Sequence, residues 1–528
     1  MHVTLIHPPA IAAVSTFAQE AVPPLGLAYV AAAVRAAGHA IEVVDAVGLG
    51  LDRHALYPPI PRSVLTGLPS DEIVARIPID TDVIGVSCMF SNAWCPTRDL
   101  LVAIRAARPH AFVVLGGEHA TACASHVLSS CAAVDACVLG EGETTMVSLL
   151  EALARGESAS TVRGVAARNG DRAPQGGRDL VKSLRRPRIA TLDAIERPAW
   201  DLFPIERYIA GRFNHGVVRG RTMPILASRG CPYQCTFCSS PSMWTTRWSA
   251  RTPESVVGEM KHYVARYGVN DFAFYDLTAI VRRDWVIAFC ELVIASGLEL
   301  TWQLPSGTRT EALDAEVCEL LHRAGCRNLN YAPESGSPRV LARIKKRVKL
   351  PRMLESMRAA VRAGLEVKAN IILGFPGETR QDVMETFRFI AQVAEAGVES
   401  VSIFPFCPYP GTELYDELAA SGRVRLDDAY FQSLVYTDLA RMESYDDAFS
   451  TAQLRALVLA GNALFLAVQA GTHPRRVVTL LSQLLRRERS SKLASAIEPM
   501  RRRREAFARL VRKGVTRERG TTRDPRAY

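Results

Sequence analysis

The stretch SRGCPYQCTFCSS, residues 228–240, places three cysteines on one short loop, at Cys231, Cys235 and Cys238. Their spacing is Cys-x3-Cys-x2-Cys, and the glycine and proline beside the first cysteine favour a tight turn. Three thiolates on such a loop can hold a [4Fe–4S] cluster and leave its fourth iron without a protein ligand. Because an open iron can bind a small molecule, the pattern predicts a cluster that does chemistry as well as carrying electrons.

Two other uses of this loop are disfavoured. A disulfide is not expected, because no secretory signal precedes the loop and reduced thiols are the default in the cytoplasm. A zinc site normally needs a fourth Cys or His at close spacing, and none follows within the next 20 residues. The other nine cysteines lack the spacing of metal ligands and are expected to be small buried hydrophobic residues.

The composition is that of a globular protein with several domains. Of the 528 residues, 48% are hydrophobic and 22% are charged, and this length suits roughly two to four domains. No apolar run reaches the roughly 18–20 residues that a membrane-spanning helix requires. We therefore predict no such helix and a cytoplasmic location.

The net charge of +10 is concentrated near the C-terminus. Residues 474–528 contain 17 Lys or Arg and 5 Asp or Glu, so the rest of the chain is nearly neutral. The four arginines at 501–504 lie in a segment of helical periodicity, for which we favour a solvated surface helix. Peripheral contact with a membrane surface or an anionic substrate is the alternative. Nucleic acid is not an expected partner, since the tail nearly lacks aromatic side chains that stack on bases.

The first 155 residues alternate short β-branched segments with helical ones. Strands are predicted at Val3–Ile6, Ile41–Asp45, Val83–Ser87, Phe112–Leu115 and Ala136–Leu139. Helices are predicted at Leu25–Ala37, Pro96–Ala107 and Glu143–Ala154, with another near residues 70–77. Strands that are apolar throughout and separated by helices indicate a parallel sheet covered on both faces. We therefore predict an α/β fold whose residues 1–155 form a Rossmann-like, doubly wound domain with ligands at the carboxyl edge of the sheet.

The alternation of strands and helices resumes after a bridge of mixed composition at residues 156–220. Within residues 221–418, six strands are predicted at Ile225–Ser228, Asp271–Tyr275, Glu299–Gln303, Arg327–Ala332, Lys368–Leu373 and Ser400–Pro405. Six βα units are too few to close an eight-stranded barrel, so we predict an open, partial (β/α)6 barrel. Residues 419–528 lack strand patterns and are predicted to be helical, with an apolar helix at Leu454–Val468.

The second domain resembles the radical S-adenosylmethionine (radical SAM) enzymes over its whole length. The cysteine spacing is their signature, and further matching turns lie at residues 272–276, 334–337, 371–379 and 408–412. Each turn alone is compatible with an ordinary strand-to-helix connection, but coincidence is improbable for four in order behind the cysteine loop. The resemblance implies that Cys231, Cys235 and Cys238 ligate the cluster. It also implies that SAM lies near five residues: Asp276, Glu334, Ser335, Gly374 and Pro376.

The first domain resembles the cobalamin-binding domains that precede many radical SAM cores. The matching segments are residues 8–9, 23–28, 38–39, 116–120 and 140–143. Glycines at the strand ends allow the backbone to approach a bulky corrinoid closely, whereas the Gly-x-Gly-x-x-Gly dinucleotide pattern is absent. The resemblance implies a set of cobalamin-binding residues: Pro9, Gly116, Gly117, Glu118, His119, Gly140, Glu141 and Gly142.

This domain departs from the methionine-synthase type of corrinoid carrier, in which the histidine of Asp-x-His-x-x-Gly ligates cobalt. No such motif occurs here. His7 ends the first predicted strand, and we favour a hydrogen-bonded histidine there over a ligand; the same holds for His39 and His119. We expect side chains from residues 10–22 or 89–95 to cover the lower face of the cobalt.

Together the two domains resemble cobalamin-dependent radical SAM enzymes, a class in which methyltransferases dominate. The resemblance implies that a 5′-deoxyadenosyl radical removes hydrogen from the substrate, which then takes a methyl group from methylcobalamin. It also implies an external electron donor of the flavodoxin or ferredoxin type. The predicted substrate is a small molecule or lipid with an unactivated carbon, held between the facing carboxyl edges of the two sheets.

Three alternatives stay open at this point. An enzyme with the same cofactors can end in oxidation, cyclisation or ring rearrangement without methyl transfer. An RNA methylthiotransferase shares the core, but the first domain lacks a second cysteine triad for another cluster. A cobalamin-binding regulator or carrier with an inactive barrel is disfavoured by the intact triad.

Overall fold

The computed structural model describes residues 1–16, 21–168, 180–182, 186–308, 312–476, 478, 482 and 492–520. Up to residue 182 its strands are β1 (His2–His7), β2 (Ala10–Ala13), β3 (Ala40–Asp45), β4 (His54–Leu56), β5 (Ser63–Thr66), β6 (Val83–Ser87), β7 (Phe112–Gly116), β8 (Ala136–Val138), β9 (Val165–Arg168) and β10 (Leu180–Lys182). The helices of this part are α1 (Leu25–Ala36), α2 (Ala46–Leu49), α3 (Ser70–Ala75), α4 (Trp94–Ala107), α5 (Glu118–Ser130) and α6 (Gly142–Ala154).

The N-terminal sheet has the strand order β10-β9-β8-β7-β6-β1-β3. The five strands from β3 to β8 run parallel, and β9 and β10 add antiparallel strands at one edge. Alternate side chains enter two separate cores, because Leu5 packs on one face of the sheet and Ile6 on the other. The doubly wound domain predicted from the sequence is thus confirmed, with the strand order reversing between β1 and β6.

Two features of this half are absent from the sequence-based prediction. The bridge contributes β9 and β10 to the N-terminal sheet instead of only connecting two domains. In addition, β2, β5 and β4 form a small antiparallel sheet. These strands have only three or four residues each, which is too short for alternation of polar and apolar residues to identify them.

The second half contains the strands β11 (Thr222–Ile225), β12 (Ser228–Arg229), β13 (Ser249–Ala250), β14 (Asp271–Phe274), β15 (Thr301–Thr308), β16 (Cys326–Glu334), β17 (Glu366–Leu373) and β18 (Ser400–Pro405). Its helices are α7 (Ile205–Gly211), α8 (Ser240–Trp244), α9 (Pro253–Tyr267), α10 (Arg283–Ala295), α11 (Ala315–Arg323), α12 (Pro338–Arg343), α13 (Leu350–Arg362), α14 (Arg380–Glu395), α15 (Glu413–Ala420), α16 (Asp428–Ser433), α17 (Thr451–Thr472) and α18 (Lys492–Gly520).

Six parallel strands form the predicted partial barrel in the order β11-β14-β15-β16-β17-β18. In the part of the chain that the structure describes, no strand pairing joins β18 back to β11, so the barrel is open. The first strand was predicted at Ile225–Ser228 but ends at Ile225. Ser228 instead pairs with Ala250 in a separate hairpin, because a buried carboxylate described below holds the backbone after β11.

Helix α17 corrects the prediction that no segment is long and apolar enough to cross a membrane. It has 22 residues and meets that criterion by length and composition. One face packs against α14 and β18 through Leu454, Val458 and Phe465, which are all buried, whereas 28% of the apolar window as a whole is buried.

Helix α18 carries the arginine run and packs on β4 and β5 of the small sheet. Arg503 and Ala506 are buried there, and Arg503 donates to the carbonyl of Thr16. The guanidinium of Arg502 lies 5.3 Å from the ring centroid of Phe213. The prediction of a simply solvated helix is therefore wrong for this face, which is docked on the N-terminal half.

Candidate functional site

The cluster loop, residues 228–240, is held in place from several sides. Gly230 has a φ of +83°, and a Cβ there would collide with the carbonyl oxygen of Arg247, so only glycine is accommodated. The amide of Thr236 donates to the carbonyl of Ile344 (3.1 Å), and its carbonyl accepts from the amide of Leu414 (3.0 Å). The loop is therefore fixed against the segments that follow β16 and β18.

The three predicted ligands lie together on this loop and keep partial solvent exposure. Burial raises the pKa of the Cys238 thiol to about 12, and the nearby Cys235 and Cys231 raise it further. In the described ranges no three His, Cys, Asp or Glu side chains converge on a single metal ion. Cluster thiolates bind separate irons and need not converge. The three residues therefore fit a [4Fe–4S] cluster, whose iron would favour the thiolate form.

Asp276, predicted to lie near SAM, holds the start of the cluster loop. Its buried carboxylate accepts from the backbone amide of Ala227 (3.0 Å) and from the hydroxyl of Ser228 (2.6 Å). Burial raises its pKa to about 6, although these hydrogen bonds act in the opposite direction. The described contacts of Asp276 thus join the end of β14 to the loop and make it a positioning group.

Glu334 ends β16 in a left-handed conformation, with a φ of +68°. This is an uncommon backbone for a residue with a side chain, and such strain is concentrated at functional sites. Its carboxylate accepts from Lys346 Nζ at 2.9 Å, and both side chains are buried. The same ammonium lies 5.9 Å from the ring centroid of Phe237, between two of the cysteines. Glu334 is therefore linked through Lys346 to the cluster loop, and its contact with SAM stays a prediction.

The other predicted SAM residues lie at neighbouring strand ends. Ser335 is buried, 3.1 Å from the hydroxyl of Thr386 on α14. Gly374 follows β17 with a φ of +83°, and its amide donates to Glu378 at 2.6 Å. Pro376 is buried in the same turn. The strand ends after β14, β16 and β17 are therefore adjacent at the carboxyl edge of the barrel.

The carboxyl edge of the N-terminal sheet contains the predicted cobalamin residues Gly116, Gly117 and Glu118. A Cβ on Gly116 would meet no heavy atom within 4 Å, whereas one on Gly117 would lie 2.5 Å from the carbonyl oxygen of Cys88. Glu118 accepts a hydrogen bond from the hydroxyl of Ser239 in the cluster loop. The two carboxyl edges thus face each other, with free space in front of Gly116.

The remaining residues of this predicted set have mixed surroundings. Pro9 is half-buried and lies against Gly67, and a Cβ on Gly142 would lie 2.9 Å from Val30 of α1. A Cβ on Gly140 would lie 3.5 Å from the carbonyl oxygen of Met243 in α8. Gly140 therefore borders the barrel domain, while Gly142 allows α6 to pack closely on α1.

His7 and His119 are both engaged within the protein. His7 Nδ1 lies 2.8 Å from the carboxylate of Asp45, which confirms a hydrogen-bonded histidine at the strand end. His119 is buried, with Nδ1 3.0 Å from the hydroxyl of Ser91 and its ring between Trp94 and Phe431. Burial lowers the pKa of His119 to about 3, so it is neutral. Neither histidine is presented to the facing edges as a free ligand.

Glu141 has a different environment from the one predicted. One carboxylate oxygen lies 3.2 Å from Arg229, and the other lies 2.9 Å from Arg188. Arg229 also pairs with Glu143, and all four side chains are nearly inaccessible to solvent. The carboxylate of Glu141 therefore locks the N-terminal domain to the cluster loop and is not available to a corrinoid.

The sequence-based reasoning missed the two arginines of this network. Arg229 lies two residues before Cys231 and stacks on Tyr29, with its guanidinium 5.1 Å from the ring centroid. Arg188 stacks on Trp244 at the same distance. Nothing in the local sequence identifies partners 88 positions apart, such as Glu141 and Arg229. Only the position of Arg229 inside the motif could have drawn attention to it.

The space at the facing edges suits a large planar cofactor. No heavy atom lies within 4 Å of the position that a Cβ on Gly116 would occupy. Met89 and Phe90, which follow β6, are 46% and 60% exposed. These two residues belong to one segment predicted to cover the cobalt, and this role stays a prediction. The other segment, residues 10–22, lies partly outside the described residues at 17–20. The N-terminal edge thus fits cobalamin without a histidine ligand.

Family models match both halves of the chain. Residues 225–390 match the radical SAM superfamily, and residues 12–150 match the B12 binding domain. These ranges contain the barrel with its cluster loop and the N-terminal parallel sheet.

Curated relatives cover most of the chain. An uncharacterized methyltransferase, PH0819 of Pyrococcus horikoshii, is 28% identical over 421 residues, or 80% of this chain and 84% of the relative. Cytidylyl-2-hydroxyethylphosphonate methyltransferase of Streptomyces wedmorensis is 28% identical over 82% of this chain and 84% of its own length. An anaerobic magnesium-protoporphyrin IX monomethyl ester cyclase of Cereibacter sphaeroides is 28% identical over 64% of this chain and 53% of its own length.

A solved structure shares the fold. The methyltransferase TsrM of Kitasatospora setae, solved with cobalamin and a [4Fe–4S] cluster, superimposes with a TM-score of 0.62 at 17% identity. The match covers 88% of each chain. The order of the two domains and the helical C-terminal region therefore belong to a known architecture.

Proposed function

We propose that this chain is a cobalamin-dependent methyltransferase acting on an unactivated carbon, because residues 225–390 match the radical SAM superfamily and residues 12–150 match the B12 binding domain. The proposed substrate is a small molecule or a lipid. We place the enzyme in the cytoplasm, with an electron donor of the flavodoxin or ferredoxin type.

One observation carries this proposal: the two carboxyl edges are locked face to face. The buried ion pairs of Arg229 with Glu141 and Glu143 join the cluster loop to the N-terminal sheet. Transfer between two cofactors requires a substrate held between them at fixed separation. A rigid joint two residues from a cluster ligand supports such an arrangement. Two relatives, each matched over 84% of its own length, are named as methyltransferases, which favours the same reaction.

The chain's own residues have distinct roles in this proposal. Cys231, Cys235 and Cys238 bind the cluster, and Glu334 with its neighbours at the strand ends contacts SAM. When bound, the cluster with SAM supplies the radical that removes a hydrogen atom, and cobalamin supplies the methyl group. Asp276 holds the start of the cluster loop against the end of β14, because its carboxylate accepts a hydrogen bond from the backbone amide of Ala227.

The substrate is proposed to enter between the edges beside exposed apolar groups. Met89 and Phe90 lie at the N-terminal edge, and Leu277, which follows β14, is 43% exposed. Apolar surface at this position suits a hydrocarbon portion of the substrate and excludes water from a radical intermediate. A small molecule with such a portion and a lipid both satisfy this requirement.

An oxidative cyclisation with the same cofactors is the second candidate. It is supported by the similarity to the cyclase of Cereibacter sphaeroides, although the match covers only about half of that relative. The two candidates differ in their products, because methyl transfer consumes one SAM as a methyl source and yields S-adenosylhomocysteine. Oxidation without methyl transfer yields 5′-deoxyadenosine alone.

An anaerobic assay of the reconstituted protein tests the proposal. With cobalamin, SAM, reductant and candidate substrates, we expect 5′-deoxyadenosine, S-adenosylhomocysteine and a methylated product together. Cys235→Ala should lose cluster iron and form no 5′-deoxyadenosine, with the buried Cys290→Ala as the matched control. If Cys235→Ala still releases 5′-deoxyadenosine, the ligand assignment is wrong.

The cobalamin site has a separate test that uses the open space before Gly116. Gly116→Ala adds a methyl group without touching the protein, so the variant should fold normally. It should lose much of the corrinoid absorbance after reconstitution and gel filtration. Retention equal to that of the wild type would show that the corrinoid does not approach Gly116.

A further inference from the structure

The interior of the partial barrel is hollow and polar. Along β17 the outward residues are buried, whereas the inward ones keep solvent-accessible surface. The inward residues are Glu366, Lys368, Asn370 and Ile372. Closed barrels normally fill this space with branched apolar side chains. Here the lumen, the space enclosed by the inner faces of the strands, has room for a ligand.

The bridge closes the amino end of this lumen. The side-chain amide of Gln303 on β15 forms two hydrogen bonds with the backbone of Val217. It accepts one from the N–H at 2.8 Å and donates one to the carbonyl at 2.5 Å. Arg219 pairs with Glu366 at the start of β17. The lumen therefore has a floor at the amino end and opens toward the carboxyl edge.

Lys368 projects into this lumen as a cation without an internal counter-charge. Its ammonium group forms neither an ion pair nor a hydrogen bond with the described residues. Glu366, the acid two positions before it on β17, is paired with Arg219. Burial lowers the pKa of Lys368 to about 8, and no carboxylate offsets this effect. A buried cation in this state is costly unless a ligand supplies the opposite charge.

Several neutral polar groups surround this ammonium with unused hydrogen-bonding capacity. The strand register places Asn330 and Ser400 beside Lys368 on the two neighbouring strands. Four atoms of this region are among the buried side-chain atoms without a hydrogen-bond partner in the described chain: Asn214 Nδ2, Asn330 Oδ1, Asn370 Oδ1 and Ser400 Oγ. So many unsatisfied groups in one place are unusual in a native protein and call for a partner.

His215 completes the group from the bridge. Its ring lies 6.0 Å from that of Tyr275, whose hydroxyl donates to Asn214 at 2.6 Å. His215 keeps exposed surface in the lumen. Desolvation by the surrounding protein, followed by the charge of Lys368, lowers its pKa to about 4. The imidazole is therefore neutral and close to the ammonium, and it can donate or accept a hydrogen bond.

We propose that this lumen floor, defined by His215, Asn330, Lys368, Asn370 and Ser400, is a subsite that binds an anionic group of the substrate. The group is a carboxylate or a phosphate-type oxyanion. It forms a charge-assisted hydrogen bond with Lys368 and further hydrogen bonds with the surrounding neutral groups. The proposal rests on the proposed function in assigning the anion to the substrate.

The depth of Lys368 separates this subsite from the SAM carboxylate. Lys368 lies six residues before Gly374, which corresponds to about 20 Å along an extended strand. The cluster loop and the proposed SAM residues lie at the carboxyl edge, beyond the end of β17. The subsite therefore receives the distal end of a substrate whose reacting carbon is near the cofactors.

Calorimetric titration of the full-length reconstituted protein with inorganic phosphate and with acetate tests the subsite. For at least one probe, we expect saturable binding that Lys368→Gln weakens at least tenfold and Lys368→Arg preserves within threefold. Lys261→Gln removes the same charge from the exposed face of α9 and should change nothing. If the wild type binds neither anion, or if Lys368→Gln binds them equally well, the proposal is wrong.

A second measurement identifies the source of the anion. SAM affinity, measured by equilibrium dialysis without substrate, should be the same in the wild type and in Lys368→Gln. A loss of SAM affinity matching the loss of anion binding would assign the site to the SAM carboxylate and overturn a substrate subsite. Neither measurement depends on methyl transfer, so failure of the subsite is distinguishable from failure of the proposed function.

Discussion

Two buried cations of this protein have opposite surroundings. Arg229 at the domain joint is paired with Glu141 and Glu143 and stacked on an aromatic ring. Lys368 in the barrel lumen has no acidic partner among the described residues. Arg229 is almost inaccessible to solvent, whereas Lys368 keeps some accessible surface in the lumen. Only Arg229 has its charge balanced inside the chain.

The presence or absence of an internal counter-charge distinguishes a cation that stabilises the fold from a cation that is expected to bind a ligand. A buried cation with fitted partners stabilises the native arrangement, and removing one member leaves the others as uncompensated charges. A buried cation without partners lowers stability and is retained only if another molecule balances it. The two residues are therefore expected to respond to mutation with opposite signs.

The largest expected effect is at the joint. Arg229→Met leaves two buried carboxylates without their shared cation and should lower the free energy of unfolding by about 3–5 kcal/mol. Cluster iron should fall as well, because the loop loses its anchor. Urea unfolding and iron content measure both. The exposed pair of Arg155 with Glu157 is the control, and Arg155→Gln should leave unfolding unchanged. A loss below about 1 kcal/mol would contradict a structural role for Arg229.

A smaller effect of opposite sign is expected in the lumen. Lys368→Met should raise the free energy of unfolding at pH 7 by about 1–3 kcal/mol, since it removes an unbalanced charge. The folded pKa of about 8 lies below the ordinary 10.5. The penalty is therefore complete below pH 8 and disappears as pH approaches 10.5.

Unfolding of the wild type and Lys368→Met between pH 7 and 10.5 measures this trend. The difference between them should shrink as pH rises. Lys261→Met serves as the surface control and should show no such trend. A destabilised Lys368→Met would mean that the lysine has an internal partner after all.

The smallest effect concerns a buried acid beside the SAM turn. Burial raises the pKa of Glu378 to about 8, against an ordinary 4.5. Because the folded protein holds this proton more tightly, wild-type stability should fall as pH rises from about 4.5 to 8. Glu378→Gln has no titratable carboxyl group and should therefore flatten this fall. Thermal unfolding of both proteins at pH 5 and pH 8 measures it, and parallel pH profiles would refute the assignment.

The sequence predicted the elements whose pattern is local. The strand Ser400–Pro405 and the helix Pro253–Tyr267 have the predicted bounds. The alternation of serine with Val401 and Ile403, and a proline at the first helical position, are clear local signals. The cysteine loop was equally easy to identify, since its three cysteines lie within eight consecutive residues.

What the sequence did not predict depends on contacts between distant residues. Glu141 was assigned to a cofactor from its place after a strand, but its partners Arg188 and Arg229 lie 47 and 88 positions away. Asp276 was assigned to SAM, although its carboxylate holds the loop after β11. In both cases the strand end was predicted, whereas the partner was decided by packing between segments that are distant in the sequence.

The docking of α18 has a consequence for the synthesis of this protein. Arg503 donates a hydrogen bond to the carbonyl of Thr16, so a contact that completes the N-terminal half is supplied by a segment that is made long after it. Domains usually fold in the order in which they emerge. The small sheet is complete at Thr66 and must wait, partly uncovered, until Arg503 has been translated, 437 residues later. A nascent chain arrested before α18 would expose that surface to chaperones and proteases.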